Sequence, residues 1–431
     1  MSIEIRPVGV TCNLRCDYCY EEKARETSGR SYRYNREAVL ASIDKLKPGE
    51  FWSLFGGEAL ILNMTDLEEL LKLGFEKNGC SGLQTNGSLI TDAHIELFIK
   101  YKTHVGISLD GPDELNDSRW AGTKKATRKT TAKTHEAVRK LCELAKTHDF
   151  LLPGLIVTLH AGNCSKKRFP KFLAWLRELD AMGIQQVNFH TMEMDHQAHK
   201  LFLPQEELAD RLIDIWRASD DFTNLKPRFI EDVLNLLQGN SSKAMCSYRA
   251  CDALNTQACQ SINQDGSPAG CGREMKDGIM WLPGEGTGYP ASFAGFDSTR
   301  YHIRQIALAQ TPQEHGGCQG CEYWLVCLGN CSGEGMNDDW RLRSTYCQTY
   351  KKLFAEGVRR LRSVRAKPLP LWRIRPAMEQ YTFDQWIAGR NPSLKEAQDF
   401  VTKGPNSVCR SQAATDGHID HWDARKPASK S

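Results

Sequence analysis

The uneven placement of sixteen cysteines constrains this 431-residue chain more than any other feature of its sequence. Three cysteines fall within residues 12–19 and nine within 246–347. The remaining four stand alone: Cys80, Cys142, Cys164 and Cys409. A secreted protein stabilised by many disulfides is usually small, and MSIEIRPVGV at the start does not resemble a signal peptide. Clustered cysteines in an intracellular chain indicate metal sites instead.

The first 190 residues alternate short apolar runs with amphipathic segments, which predicts strands followed by helices. The predicted strands are 3–10, 51–55, 81–85, 104–109, 151–159 and 185–190. The predicted helices are 36–47, 66–77, 92–101, 133–146 and 167–183, followed by 205–218 and 227–238. Such alternation favours a parallel sheet with right-handed crossovers. Six units are too few for an eight-fold barrel, so they fit either a doubly wound sheet or an open partial barrel.

Polar and glycine-rich motifs follow the ends of five predicted strands. They are residues 12–19, 56–58, 85–87 and 108–111, together with His190. In parallel α/β folds, ligands bind at the carboxyl ends of the strands. The five motifs therefore predict one site at that edge of the sheet, although His190, Thr158 and Asn188 fit a packed role inside the barrel equally well.

The first cysteine group reads TCNLRCDYCYEE, with the spacing C-x3-C-x2-C and Tyr18 before the third cysteine. A structural zinc site normally takes four protein ligands, and a [4Fe–4S] cluster normally takes four thiolates. Three thiolates on a [4Fe–4S] cluster would leave one iron with an open coordination position. The spacing indicates a three-thiolate metal site, and a zinc site with a remote fourth ligand is the alternative.

This cysteine motif resembles that of the radical S-adenosylmethionine (SAM) superfamily. The resemblance implies an α/β fold with a partial (β/α)6 TIM-type barrel. It also implies that Cys12, Cys16 and Cys19 hold the catalytic [4Fe–4S] cluster, whose open iron binds SAM. Cleavage of SAM would then generate a 5′-deoxyadenosyl radical.

The segments FGGEAL (55–60), QTNGSLIT (84–91) and ISLDGP (107–112) resemble other motifs of this superfamily. The resemblance implies that Glu58 accepts hydrogen bonds from the SAM ammonium group, and that Tyr18 packs on the adenine. Two glycines would let the backbone approach the ligand closely. The expected SAM-binding residues are Tyr18, Gly56, Gly57, Glu58, Asn86, Ser108 and Arg119. The alternatives are a plain turn at Asn86-Gly87 and loop bracing by Arg119; Arg128 and Lys133 are further candidates for the SAM carboxylate.

The second cysteine group contains CQGCEYWLVCLGNC (318–331) and then Cys347, and Gly266 stands five residues before Cys271. This pattern resembles the SPASM extension of peptide-modifying radical SAM enzymes, which implies two auxiliary [4Fe–4S] clusters. The first would use Cys251, Cys271 and Cys331, with Cys259 as the fourth ligand; Cys246 or an open iron that could bind a substrate thiolate are the alternatives. The second would use Cys318, Cys321, Cys327 and Cys347. Zinc in this array is the alternative. The expected domains are a radical SAM core (1–225), a SPASM domain (226–360) and a helical extension with a tail (361–431).

The SPASM resemblance implies a precursor-peptide substrate and an oxidative crosslink, either a C–S thioether or a C–C bond. The anaerobic sulfatase-maturating enzymes share the cysteine pattern but carry an acidic residue directly after the cysteine that matches Cys271. Here that residue is Gly272. We therefore expect crosslinking, with formylglycine formation or a small-molecule substrate as the alternatives.

The expected partners are the precursor peptide and a flavodoxin- or ferredoxin-type reductant. Because only eleven residues precede Cys12, we expect leader recognition to use a separate protein or another surface. Lys and Arg total 56 against 53 Asp and Glu, a formal charge of +3. That balance gives no support for nucleic-acid or membrane binding, so we expect a cytoplasmic protein.

Overall fold

The computed structural model describes residues 2–28, 33–47, 49–193, 199–241, 244–246, 259–275, 302–366, 368–369, 371–388 and 390–404. The strands in these ranges are β1 (Ser2–Ile5), β2 (Arg15–Cys16), β3 (Trp52–Leu54), β4 (Ser81–Thr85), β5 (Thr103–Ser108), β6 (Arg119–Trp120), β7 (Gly154–Leu159), β8 (Gln186–Thr191), β9 (Lys226–Pro227), β10 (Cys259–Ile262) and β11 (Pro268–Ala269). Nine of them form one sheet in the order β11-β10-β1-β3-β4-β5-β7-β8-β9. All neighbours in it are parallel except β10 and β11.

Helices connect the parallel strands, as right-handed crossovers require. In the first part of the chain they are α1 (Glu22–Ser28), α2 (Arg36–Asp44), α3 (Met64–Asn78), α4 (Asp92–Lys100), α5 (Lys124–Leu144), α6 (Ala161–Cys164), α7 (Phe169–Ala181), α8 (Gln205–Ala218) and α9 (Arg228–Leu237). They continue with α10 (Gly272–Met275), α11 (Ile303–Gln310), α12 (Trp324–Cys327), α13 (Cys347–Ser363), α14 (Leu371–Ile387) and α15 (Leu394–Lys403). No described helix has the length and apolar character that crossing a bilayer demands.

The helices cover one face of the central strands, which distinguishes a barrel from a doubly wound sheet. Every second residue of β7 is buried, as are Val187 and Phe189 of β8, and the residues between them are only partly covered. Phe189 of β8 packs against Phe172 of α7 and Phe229 of α9. The opposite face carries polar side chains such as Asn188 and Thr158. Within the described residues β11 and β9 have one neighbour each, so the sheet is open, as the partial-barrel prediction requires.

All six predicted strands are present, but the first is shorter than predicted. The run 3–10 suggests a long strand, whereas β1 ends at Ile5. Pro7 has no N–H to donate to a neighbouring strand, and Gly9 adopts φ +55°, which turns the chain. The residues from 6 onwards therefore leave the sheet and lead into the first cysteine motif.

The cysteine-rich region contributes a strand to the core sheet, which the sequence patterns did not predict. β10 pairs in parallel with β1, and the partners are Ser2 with Cys259 through Ile5 with Ile262. This edge therefore brings Cys259 beside the strand that leads into the first cysteine motif.

Candidate active site

The first cysteine motif forms a loop over the carboxyl ends of β1, β3 and β4. Cys16 lies in β2, which pairs with β6 so that Cys16 faces Arg119. The amide of Leu14 donates to the Cys12 sulfur over 3.4 Å. Burial raises the pKa of Cys12 and Cys16 to about 11, and of Cys19 to about 12. Thiols in such surroundings ionise readily only beside a metal or a cation.

The glycine pair of FGGEAL holds this loop against the sheet. Gly57 donates its N–H to Gly9 O over 2.9 Å, and Glu58 donates its N–H to Thr11 O over 2.9 Å. A Cβ atom at Gly57 would lie 2.2 Å from Thr11 O. Gly56 adopts φ +115°, a conformation that side chains disfavour. These two glycines therefore allow the backbone after β3 to pack closely against the cysteine loop.

Glu58 is fully buried and joins the loop after β3 to the loop after β4. Its carboxylate accepts hydrogen bonds from Leu60 N (3.1 Å), Thr85 Oγ1 (2.6 Å) and Asn86 N (2.7 Å). Burial raises the pKa of Glu58, and these donors oppose the rise. A carboxylate has about four acceptor positions, so one remains beyond this bracing role.

Asn86 supports the cysteine loop from the end of β4. Its Nδ2 donates to Asn13 Oδ1 over 2.7 Å and lies 4.0 Å from the Cys12 sulfur. Ser88 Oγ donates to Asn86 Oδ1 over 2.6 Å, and Asn13 Nδ2 donates to Ser88 Oγ over 3.0 Å. Asn86 is thus more than a turn residue, because its side chain belongs to a closed network beside Cys12.

Tyr18 joins Asp110 and Arg119 in a buried polar cluster. The Tyr18 hydroxyl donates to Asp110 and accepts from Arg119 Nη1 over 2.8 Å. Asp110 Oδ1 accepts from Thr158 N over 2.9 Å, and the His160 ring lies 5.3 Å from that of Tyr18. Despite its burial, the pKa of Asp110 is lowered, because His160 and Arg119 stabilise its charge. Arg119 thus contacts Tyr18 beside Cys16, and its two expected roles, SAM binding and loop bracing, both remain predictions.

Two other predicted residues lie in less connected positions. Ser108 ends β5 and accepts from Gln84 Nε2 over 3.0 Å. Arg128 is paired with Asp117, with 2.8 Å between Nη2 and Oδ2, so its guanidinium is already engaged by a carboxylate of the protein.

Arg25 is a buried cation beside the first cysteine motif that sequence reasoning missed. Its Nη2 donates to the Cys19 sulfur over 3.6 Å, and its Nε donates to Val10 O over 2.8 Å. Only 4% of the residue is exposed. Arg25 is the fourth residue of α1, so its side chain lies within the first turn of the helix that directly follows the cysteine loop.

Four cysteines of the second group surround one cavity. Its walls combine these thiols with aromatic rings and two cations, namely Cys318, Cys321, Cys327, Cys347, Tyr323, Trp324, Phe354, Arg343 and Lys351 among others. Burial raises the pKa of Cys318 to about 12, and Arg343 and Lys351 partly offset the burial of Cys347. In the described part of the chain, no three His, Cys, Asp or Glu side chains converge closely enough for a single ion. The four thiols line one shared space.

A second trio of cysteines lies where β10 meets the end of the barrel. Cys259 forms a side-chain hydrogen bond with Cys271, which lowers the pKa of Cys271 to about 7. The charge of Cys271 also raises the pKa of Cys331, so the three thiols are neighbours. Cys246 is exposed and also affects the pKa of Cys259. Cys251 lies outside the described residues, so the choice between Cys259 and Cys246 as the additional ligand stays open.

The position after Cys271 faces a cation. A Cβ atom at Gly272 would lie 2.3 Å from Arg6 Nη2. Arg6 is almost fully buried and pairs with Glu4 at 2.8 Å and with Glu21 at 3.3 Å. Where the sulfatase-maturating pattern carries an acidic side chain, this chain therefore has the guanidinium group of Arg6.

Comparison with known proteins matches the first part of this chain to a family model. The Radical SAM superfamily model matches residues 7–160. The Cysteine-type anaerobic sulfatase-maturating enzyme of Clostridium perfringens (strain 13 / Type A) is 26% identical over 394 residues, which covers 84% of this chain and 98% of that enzyme. The Serine-type anaerobic sulfatase-maturating enzyme of Bacteroides thetaiotaomicron is 32% identical over 133 residues, covering 27% of this chain and 30% of that enzyme.

The fold agrees with this family. The solved structure of native anSMEcpe with bound AdoMet and Cp18Cys peptide superimposes with a TM-score of 0.61 at 20% identity, over 84% of this chain and 98% of that one. The residues that the family model matches, 7–160, include the C-x3-C-x2-C loop, the glycine pair and the ends of β3, β4 and β5. Residues 7–160 of this chain are therefore a radical SAM domain, and the chain has the fold of a solved structure that binds AdoMet.

Proposed function

We propose that this enzyme oxidises a cysteine or serine side chain of a protein or peptide to formylglycine. The observation that carries the proposal is the extent of the similarity to the C. perfringens sulfatase-maturating enzyme, which spans 98% of that protein and includes the second cysteine group of this chain. The crosslinking expected from the sequence is not supported to the same degree, and it becomes the second candidate.

The radical SAM domain in residues 7–160 implies a [4Fe–4S] cluster and SAM. We assign the first cluster to Cys12, Cys16 and Cys19. When bound, this cluster and SAM supply the 5′-deoxyadenosyl radical, which can remove a hydrogen atom from an unactivated carbon. The SAM site would be formed by residues at or after the ends of β1, β3, β4 and β5 along the chain, namely Tyr18, Gly56, Gly57, Glu58, Asn86, Ser108 and Arg119.

We further propose two auxiliary [4Fe–4S] clusters in the cysteine-rich region. The cavity lined by Cys318, Cys321, Cys327 and Cys347 would hold one of them, with Arg343 and Lys351 compensating its negative charge. Cys259, Cys271 and Cys331 would hold the other, together with Cys251. Buried thiolate clusters suit the acceptance of an electron from an oxidised substrate, which formylglycine formation and crosslinking both require.

The protein groups around the first cysteine motif position the reactants and exclude water. Glu58 and Asn86 fix the cysteine loop relative to β3 and β4, and the Tyr18, Asp110 and Arg119 cluster fixes its other side. Such fixed geometry is what converts binding into a reactive alignment. It also keeps a radical away from solvent and from the protein's own side chains.

Gly272 is the specific observation that favours the second candidate, an oxidative crosslink in a precursor peptide. With Arg6 at the position expected for an acidic group, formylglycine formation needs another acceptor for the proton that leaves the substrate. A crosslink that forms by attack of a neighbouring thiol does not place the same requirement for an acidic side chain on that position.

The product of one incubation separates the two candidates. Anaerobically reconstituted enzyme, SAM and a chemical reductant would be combined with the Cp18Cys peptide or its serine counterpart, and the products analysed by mass spectrometry and hydrazide capture. Formylglycine replaces the cysteine sulfur with oxygen and reacts with hydrazide. A crosslink removes two hydrogen atoms, keeps the sulfur and does not react. Intact peptide alongside SAM cleavage would refute the proposal for these substrates.

The expected protein partners follow from this proposal. A flavodoxin- or ferredoxin-type reductant would supply the electron for SAM cleavage. A separate leader-binding protein is expected only under the crosslinking candidate, because a folded or unfolded sulfatase polypeptide would itself present the residue to be modified.

A further inference from the structure

A hydrogen bond from Arg273 fixes the tautomer of His190 at the end of β8. Arg273 Nη2 lies 2.8 Å from His190 Nδ1. A guanidinium group has donors and no acceptor, so Nδ1 must accept this hydrogen bond. The proton of the neutral ring is therefore on Nε2, which is left as a donor.

Arg273 is itself held in place from several sides. Its Nε lies 2.8 Å from Glu193 Oε1, and its Nη1 lies 3.6 Å from Glu334 Oε1. A Cβ atom at Gly333 would come within 2.8 Å of Arg273 Cβ, so the backbone there packs closely on the arginine. Because the arginine has little freedom, the orientation of the His190 ring is set by the protein before any ligand binds.

The His190 side chain lies on the inner face of the barrel. Its neighbour Phe189 packs outward against the helices, and successive side chains of a strand point to opposite faces. His190 is paired in register with Thr158 of β7, whose amide contacts Asp110. Burial, reinforced by the charge of Arg273, lowers the pKa of His190 to about 3. The ring is therefore neutral at physiological pH, and its Nε2–H faces the interior.

We propose that His190 is a positioning residue that donates a hydrogen bond from Nε2 to a backbone carbonyl oxygen of the peptide substrate. This inference rests on the proposed function, because it assumes a peptide in the barrel. The ring selects for an acceptor: a substrate group that can only donate finds no lone pair on Nε2. Arg273 acts through His190 by enforcing that choice.

The position of His190 favours the peptide over SAM as its ligand. The proposed SAM-binding residues lie at or after the ends of β1, β3, β4 and β5 along the chain, whereas β8 lies two strands beyond β5 in the sheet. His190 instead contacts Arg273, two residues after Cys271. Asp110, which bonds Tyr18 of the first cysteine motif, affects the pKa of His190, and Arg273 Nη1 lies 3.8 Å from the Cys331 sulfur. His190 therefore lies close to both cysteine groups.

The test compares peptide and SAM affinities of His190→Leu and His190→Gln in anaerobically reconstituted holoenzyme. Fluorescently labelled Cp18Cys is the probe, titrated with SAM present, and SAM binding is measured separately. His190→Leu should weaken peptide binding by about tenfold, the loss of one buried hydrogen bond, while SAM affinity stays unchanged. His190→Gln, whose amide can donate, should recover binding to within about threefold of wild type. His148→Leu makes the same chemical change at the opposite end of the strands and serves as the control.

Three results would overturn the inference. Unchanged peptide affinity in His190→Leu would show that no such hydrogen bond exists. A loss that appears in SAM affinity instead would assign His190 to the cofactor. Equal weakening by His190→Gln and His190→Leu would indicate a packing role. Peptide that binds wild type but yields no formylglycine would refute the proposed function alone and leave this inference standing.

Discussion

A methyl group added at Gly57 tests whether the glycine pair sets the position of the first cysteine motif. In Gly57→Ala the new Cβ would lie 2.2 Å from Thr11 O, whereas ordinary contact begins at 3.4 Å. The loop must therefore move by 3.4 − 2.2 = 1.2 Å. The hydrogen bonds to Gly9 O and Thr11 O, both 2.9 Å, would lengthen beyond bonding range. Two lost hydrogen bonds and the overpacking together cost about 3 kcal/mol, and a displacement near 1 Å lowers a catalysed rate by about a hundredfold.

The assay is 5′-deoxyadenosine formation by anaerobically reconstituted enzyme, with iron content measured on the same sample. We expect Gly57→Ala to lose about a hundredfold in SAM cleavage, while most of the iron bound in the cysteine-rich region remains. Gly183→Ala is the matched control, since a Cβ at Gly183 meets nothing within 4 Å. Its φ of +86° still imposes a strain of about 1–2 kcal/mol, so it destabilises the protein away from the site. SAM cleavage by Gly57→Ala within a few-fold of the Gly183→Ala rate would refute the reasoning.

Three further predictions concern the metal sites. Replacing Cys12, Cys16 and Cys19 together by Ala should abolish 5′-deoxyadenosine formation while auxiliary iron remains. Continued cleavage of SAM by this triple variant would place the SAM site elsewhere. Cys347→Ala should permit SAM cleavage but prevent product formation, so a wild-type product yield by mass spectrometry would show that this cysteine is dispensable. Arg25→Gln removes a cation 3.6 Å from the Cys19 sulfur and should lower the reduction potential of the first cluster by about 60 mV, a tenfold change for one electron. An EPR-monitored redox titration measures it, with Arg25→Lys expected to retain most of the potential.

The order of strands and helices in the barrel was predictable because each unit carries its own hydrophobic period. The alternation in 154–159 and the helical spacing in 66–77 depend only on neighbouring residues. β10 was not predictable in this way. Its four residues, CQSI, lack strong alternation, and they form a strand because the edge of β1 offers them unpaired backbone groups. That partner lies more than 250 residues away along the chain, as the pairing of Ser2 with Cys259 shows.

The candidate site likewise contains residues that the sequence could predict and contacts that it could not. Motif spacing was enough to select the cysteines and the loops after β3, β4 and β5, because those residues lie close together in sequence. The contacts of Arg6 with the Gly272 position and of Arg273 with His190 join residues that are 266 and 83 apart. Neither contact has a local signal, and both depend on how the cysteine-rich region packs on the barrel. The motif was enough to predict that Glu58 is a site residue. Its three hydrogen bonds to the protein could not be predicted from the motif.

The pairing of β10 with β1 limits how this enzyme can be recombined with its relatives. Side chains alternate along a strand, so inserting or deleting one residue within CQSI would turn Cys259 from the face of Glu4 to the helix-covered face of Ile3 and Ile5. A chimera that exchanges the cysteine-rich region must therefore preserve four consecutive pairings as well as the cysteines. The loops of this region can change in length, whereas the strand that joins it to the barrel must keep the alternation of its side chains.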